Sequence, residues 1–113
     1  MNEIVRGELW LAALDPIRGR EQAGTRPVVI ISSNKFNDCP AGLVVAAPLT
    51  KRERGISSHV PIAAYETGLK YASFVMCEQV RSISKKRLLK RIGNLGGGTM
   101  ADVERALKLL LHL

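Results

Sequence analysis

The chain has 113 residues, with 17 Lys and Arg against 10 Asp and Glu, a formal net charge of +7 and 46% hydrophobic residues. This length predicts one domain over residues 1–113 and excludes a two-domain cofactor enzyme. The hydrophobic share excludes a disordered tail. No apolar run approaches the ~20 residues of a membrane-crossing helix, and five aromatics (Trp10, Phe36, Tyr65, Tyr71, Phe74) are too few for a protein that grips strands mainly by stacking bases.

In chain order, Met1 to Gly7 lacks the basic start and apolar stretch of a signal peptide. Cys39 and Cys77 lie 38 positions apart with no His or Cys at metal-ligand spacing. Together these point to reduced, structural thiols in a cytoplasmic protein. Strands are predicted at Glu8–Leu14, Pro27–Ser33, Leu43–Leu49 and His59–Ala63. Pro48 places the end of the third at an edge or a turn. Residues Ala72–Ile83 read as one longer strand with Val75, Cys77 and Val80 inward and a one-residue bulge near Glu78-Gln79. Beyond it the pattern predicts a helical turn over Lys85–Arg91 capped by Ser84, then a flexible Gly93–Gly98 run. A helix starting at Thr99 follows, with Asp102 in its first turn. Met100, Val103, Leu107, Leu110 and Leu111 fall on one stripe of that helix. The expected architecture is mainly β with short helices: a small, strongly bent sheet or barrel sealed by a C-terminal helix.

The segment Asp15–Pro27 joins the first two strands and concentrates Arg18, Arg20, Glu21, Gln22 and Arg26 around two glycines. Glycine lets backbone approach a ligand closely, and guanidinium groups match phosphate geometry. Composition alone fits a solvated connecting loop equally well.

Arg6-Gly7-Glu8-Leu9-Trp10, Asp15-Pro16, Gly19-x-Glu21-Gln22 and Thr25-Arg26-Pro27-Val28-Val29-Ile30-Ile31-Ser32 resemble the MazF/PemK toxins of bacterial toxin–antitoxin systems. Pro48-Leu49-Thr50 and Glu78-Gln79-Val80-Arg81-Ser82-Ile83 match later blocks of the same pattern, in the same order. The resemblance implies an SH3-like barrel of the CcdB/PemK-like type, a homodimer, and a cognate acidic antitoxin. It also implies a sequence-specific, metal-independent endoribonuclease that cuts single-stranded mRNA and halts growth. By that resemblance Arg26 and Thr50 are the catalytic pair, and Glu21 matches an acid near the active site.

The residues bear their own reading. Metal-free RNA cleavage uses the 2′-hydroxyl against the adjacent phosphate. A forked guanidinium suits the charge on the phosphoryl oxygens but is a poor general base. Glu21 is the more ordinary base where the fold brings it within reach of the 2′-hydroxyl, and Thr50 suits positioning. His59 is a candidate proton donor or RNA contact, read first as a surface strand residue; His112 is a helix-end residue. Lys51, Arg52 and Arg54 follow Thr50 directly and are candidates to gather RNA phosphates. Family members commonly carry small polar residues there, so substrate preference is open on this stretch. Gln79 and Arg81 are further RNA-binding candidates. Arg81 joins Lys85-Lys86-Arg87 and Lys90-Arg91 in a run that reads equally as a solvated face. The apolar end, Leu109 to Leu113, suits a dimer or antitoxin contact. Two rival readings share this chemistry: a gyrase-poisoning toxin of the same fold, and a non-catalytic basic RNA-binding module.

Overall fold

The computed structural model describes residues 3–14 and 24–113. Seven antiparallel strands form one bent sheet: β1 (Glu8–Ala13), β2 (Thr25–Ile30), β3 (Leu43–Thr50), β4 (His59–Ile62), β5 (Ser73–Met76), β6 (Arg81–Ser84) and β7 (Leu88–Asn94). Its order is β4-β5-β3-β2-β1-β7, with β6 also on β3, so the sheet curls round its core without closing into a hydrogen-bonded ring among the described residues. Short helices α1 (Asn34–Asn37) and α2 (Ala64–Thr67) fill connections, and α3 (Gly97–Leu111) closes the chain.

The β-branched Val28-Val29-Ile30 run forms β2 because alternate side chains feed two cores at once. Leu9, Val29, Ala47, Leu49 and Val75 face one side, beneath Met100 and Val103 of α3. Trp10, Ala12, Val28, Ile30, Val44, Ala46 and Ile83 face the other. A strand buried on both faces reads as a continuous apolar run.

Strand β3 is the hub. It carries β2 on one side and both β5 and β6 on the other. Five residues of β3, from Thr50 back to Ala46, answer eight of the partner, from Phe74 to Arg81. The expected one-residue bulge is therefore a 3₁₀ turn, Cys77–Gln79, that takes up three residues. Val75 and Cys77 are buried and Val80 packs on the same core, as the alternation predicts. Pro48 does not end its strand. On its β5/β6 side it occupies the gap between those two pairings, where no partner strand asks for the missing N–H.

The last third departs further from expectation. Only Lys85–Arg87 make a 3₁₀ turn, capped by Ser84 Oγ accepting from Lys86 N. Residues Leu88–Asn94 are strand β7, recruited by pairing with β1. Gly93 belongs to that strand and not to a flexible run. A Cβ there would lie 2.5 Å from the Thr67 carbonyl oxygen, so the α2 backbone packs directly on β7. Helix α3 begins at Gly97, not Thr99. Asp102 accordingly lies past the first turn and pairs with Arg105 at 2.7 Å. Of the apolar stripe, Met100 and Val103 are buried and Leu107 packs on the core, whereas Leu110 and Leu111 remain exposed.

The Arg6–Trp10 block is a fastening. Buried Glu8 accepts from Val5 N at 2.8 Å, Trp10 Nε1 at 3.0 Å and Arg91 Nε at 2.8 Å, which compensates its desolvation. Arg6 pairs with Glu104 of α3 at 2.8 Å. Cys77 is wholly buried, and burial, reinforced by the charge of Glu78, pushes its thiol up to about 11. It is an inert core residue.

Gly93→Ala is expected to lower stability by about 1–3 kcal/mol through the forced separation of β7 from α2. A denaturant-unfolding comparison with wild type checks it.

Candidate active site

Val28 of β2 stands opposite Pro48 of β3. The paired residues of β2 run from Val28 to Ile30, and two positions beyond that ladder Arg26 and Thr50 line one groove. Directly opposed residues share a face of the sheet. Thr50 in turn opposes Phe74, and Arg26 opposes Ala12. Arg26 and Thr50 both stand near the ends of their strands, beside Leu49 and Leu69 of the core beneath α3. Burial of β2 on both faces fixes this register, since a slip by one residue would disrupt the packing of two cores at once.

An open groove of about 370 Å³ lies here. Arg26, Pro27, Thr50 and Lys51 form one part of its lining, and Leu69, Lys70, Tyr71 and Ser73 form another. Arg26 is half-buried and its Nη1 donates to the Leu49 carbonyl at 3.5 Å. Thr50 is buried, and its Oγ1 accepts from Arg52 N at 3.3 Å, leaving the hydroxyl hydrogen available for an acceptor in the groove. The ammonium of Lys51 stands 4.3 Å from the centroid of the Tyr71 ring. Arg52 and Arg54 are exposed on the segment leaving β3.

The structure brings together Arg26, Thr50 and Lys51, with Arg52 and Arg54 on the adjoining segment. Arg18, Arg20, Glu21 and Gln22 lie outside the described residues. Gln79 and Arg81 are half-buried on the 3₁₀ turn and β6 and do not line the groove; Gln79 Nε2 lies 3.8 Å from Met76 Sδ. The turn between α2 and β5, with Lys70 and Tyr71, escaped sequence reading. Its signal was Gly68, a left-handed helix end at φ 75°, followed by polar residues before a strand.

His59 is not a surface residue. Its side chain is only 3% exposed, because β4 packs its inward face against β5 and the 3₁₀ turn. Its Nε2 lies 2.8 Å from Glu78 Oε2, while Nδ1 is buried with no hydrogen-bond partner among the described residues. Ser58 Oγ donates to the other Glu78 oxygen at 2.6 Å. Burial acts to raise the Glu78 carboxyl, but the hydrogen bonds from Ser58 and His59 outweigh it and hold it below the ordinary carboxylate value. The trio ties the end of the Lys51–Ser58 segment to the 3₁₀ turn.

Fold and site define a class: a small basic β protein whose largely apolar groove presents a guanidinium and a hydroxyl from neighbouring strands. The comparisons agree. The family described as PemK-like, MazF-like toxin of type II toxin–antitoxin system matches residues 5–111. The endoribonuclease MazF9 of Mycobacterium tuberculosis is 35% identical over 113 residues, covering 96% of both chains. The crystal structure of MazF from Deinococcus radiodurans superposes with a TM-score of 0.88 at 25% identity over the whole of both chains. A mycobacterial endoribonuclease solved with its cognate antitoxin gives 0.79 at 25% identity, over 100% of this chain and 97% of that one. The chain belongs to the MazF/PemK-like toxins.

The Glu78 contacts carry a pH signature. A carboxyl lowered by folding contributes stability that is fully present above its unfolded value, ~4.3, and lost as the pH falls through its lower folded value. The stability gap between wild type and Glu78→Gln should be widest near neutrality and narrow in acid. Urea midpoints measured from pH 7 to pH 3 check it.

Proposed function

We propose that this chain is the endoribonuclease toxin of a type II toxin–antitoxin pair, cutting single-stranded mRNA in the cytoplasm at particular sequences and so arresting growth. The alignment of Arg26 with Thr50 across β2 and β3 carries the reading. The 2′-oxygen attacks the adjacent phosphorus while the P–O5′ bond breaks, leaving a 2′,3′-cyclic phosphate and a 5′-hydroxyl. Charge gathers on the non-bridging oxygens, where Arg26 donates from a guanidinium that needs no proton transfer to act. The Thr50 hydroxyl donates to a phosphoryl oxygen or holds the nucleophile in line. Glu21, matched by its sequence block, is the carboxylate assigned to take the 2′-hydroxyl proton, and solvent water supplies the proton that the departing 5′-oxygen takes up.

Side chains fill the charge, positioning and base roles in this scheme, so the reaction is proposed to run without a metal ion. Lys51, Arg52 and Arg54 gather the phosphate backbone. The cognate acidic antitoxin competes with RNA for this basic surface. A second copy of the chain covers exposed Leu109, Leu110, Leu111 and Leu113 in a homodimer. A gyrase-binding toxin of the same fold has no use for a guanidinium and a hydroxyl aligned in one groove.

Purified protein should cleave a long transcript in EDTA. Arg26→Ala and Thr50→Val are each expected to slow cleavage by about 10²- to 10³-fold while circular dichroism stays unchanged. RNA bound but left intact by wild type would favour the non-catalytic module. Full-rate cleavage by Arg26→Ala would falsify the catalytic assignment.

A further inference from the structure

Of the five aromatics, Tyr71 is the one that lines the groove holding Arg26 and Thr50. Trp10 is buried with its indole N–H bound to Glu8, and Phe36, Tyr65 and Phe74 are not among the lining residues. Tyr71 is 54% exposed, yet the turn that presents it is anchored at both ends. On one side Gly68 ends α2, and Leu69, bonded through its N–H to Thr67 Oγ1 at 3.1 Å, packs on the core. On the other, buried Ser73 opens β5 beside β4. Lys51 lies over one face of the ring, next in sequence to Thr50.

The geometry points to Tyr71 as the stacking platform for one unpaired nucleobase flanking the cleaved phosphate, and so as a residue that shapes which RNA sites are cut. The inference rests on the nuclease reading for the word "cleaved" but not for the stacking itself. The Lys51 ammonium covers one face and holds the ring by its quadrupole. The other face is left for a base, every one of which carries a π-face that an aromatic accepts. A tyrosine has only two side-chain torsions to fix, so stacking orders little that the anchored turn has not already ordered. Arg26 and Thr50 address the phosphate, and the base beside it lies where the groove runs on to Tyr71. A base that stacks well there seats its phosphate on Arg26 for longer, which converts stacking strength into cleavage preference.

The test uses the full chain and two probes. The first is a 12-residue oligouridylate with 2′-O-methyl riboses, which resists cleavage, and its abasic counterpart, both followed by fluorescence anisotropy. Tyr71→Ala should weaken binding of the base-bearing probe by about 10- to 100-fold and leave the abasic probe unchanged. Tyr71→Phe should behave as wild type, which also shows that the position tolerates substitution. The second probe is a long transcript with cut sites mapped by primer extension: Tyr71→Ala should redistribute the cuts, and Tyr71→Phe should not. Equal losses on both oligonucleotides, or a Tyr71→Phe that falls as far as Tyr71→Ala, overturn the platform. A transcript left intact by wild type sinks the nuclease reading alone, because the anisotropy arm decides the stacking by itself.

Discussion

The pairing of β2 with β3 is the constraint on which the site depends. Val28 faces Pro48, Val29 faces Ala47 and Ile30 faces Ala46, and each pair feeds one of two cores. With both faces of β2 buried, a slipped register would trade apolar contacts on two sides at once. That cost also aligns Arg26 with Thr50, although neither residue contributes much to it. The polar pair is held in place by hydrophobic neighbours two residues away. The opposite side of β3 must tolerate a proline at the same level, and it does so because the chain leaves β5 and re-enters as β6 just there.

Parts of this were legible in the sequence for simple reasons. The strands β1 to β4 announce themselves by β-branched runs and bounding turn residues, and Arg26 and Thr50 stood in recognisable blocks. The 3₁₀ turn was not legible, because alternation reports only whether an insertion is odd. One extra residue and three give the same phase between Cys77 and Val80. Strand β7, with Leu-Leu-Lys-Arg-Ile, has no period of its own and exists because β1 offers it an edge. The burial of His59 follows from packing against β5 and the 3₁₀ turn, and its partner is a carboxylate 19 positions away, beyond any local window. Tyr71 reaches the groove because β5 pairs with the last two residues of β3, a contact between distant segments.

The net charge of +7 divides into different tasks. Arg91 neutralises buried Glu8, Arg6 ties the chain start to α3 through Glu104, and Arg87 donates to the Ala13 carbonyl at 3.1 Å. These arginines serve the fold. Lys51, Arg52 and Arg54 sit exposed beside Thr50, and Arg26 stands half-buried in the groove. A count of basic residues therefore overstates the surface available to a polyanion.

The placement of the site on β3 separates two kinds of evolutionary freedom. Arg26 and Thr50 belong to hydrogen-bonded strands, where any change is tested first by the core. The residues just beyond them, Lys51 to Arg54 and Lys70-Tyr71, stand on connecting segments that no strand pairs with. Under the proposed reading, those segments can change in sequence, and with them the contacts offered to RNA, without disturbing the strand pairing that holds Arg26 and Thr50. A lineage built this way can acquire new prey without having to reinvent its bite.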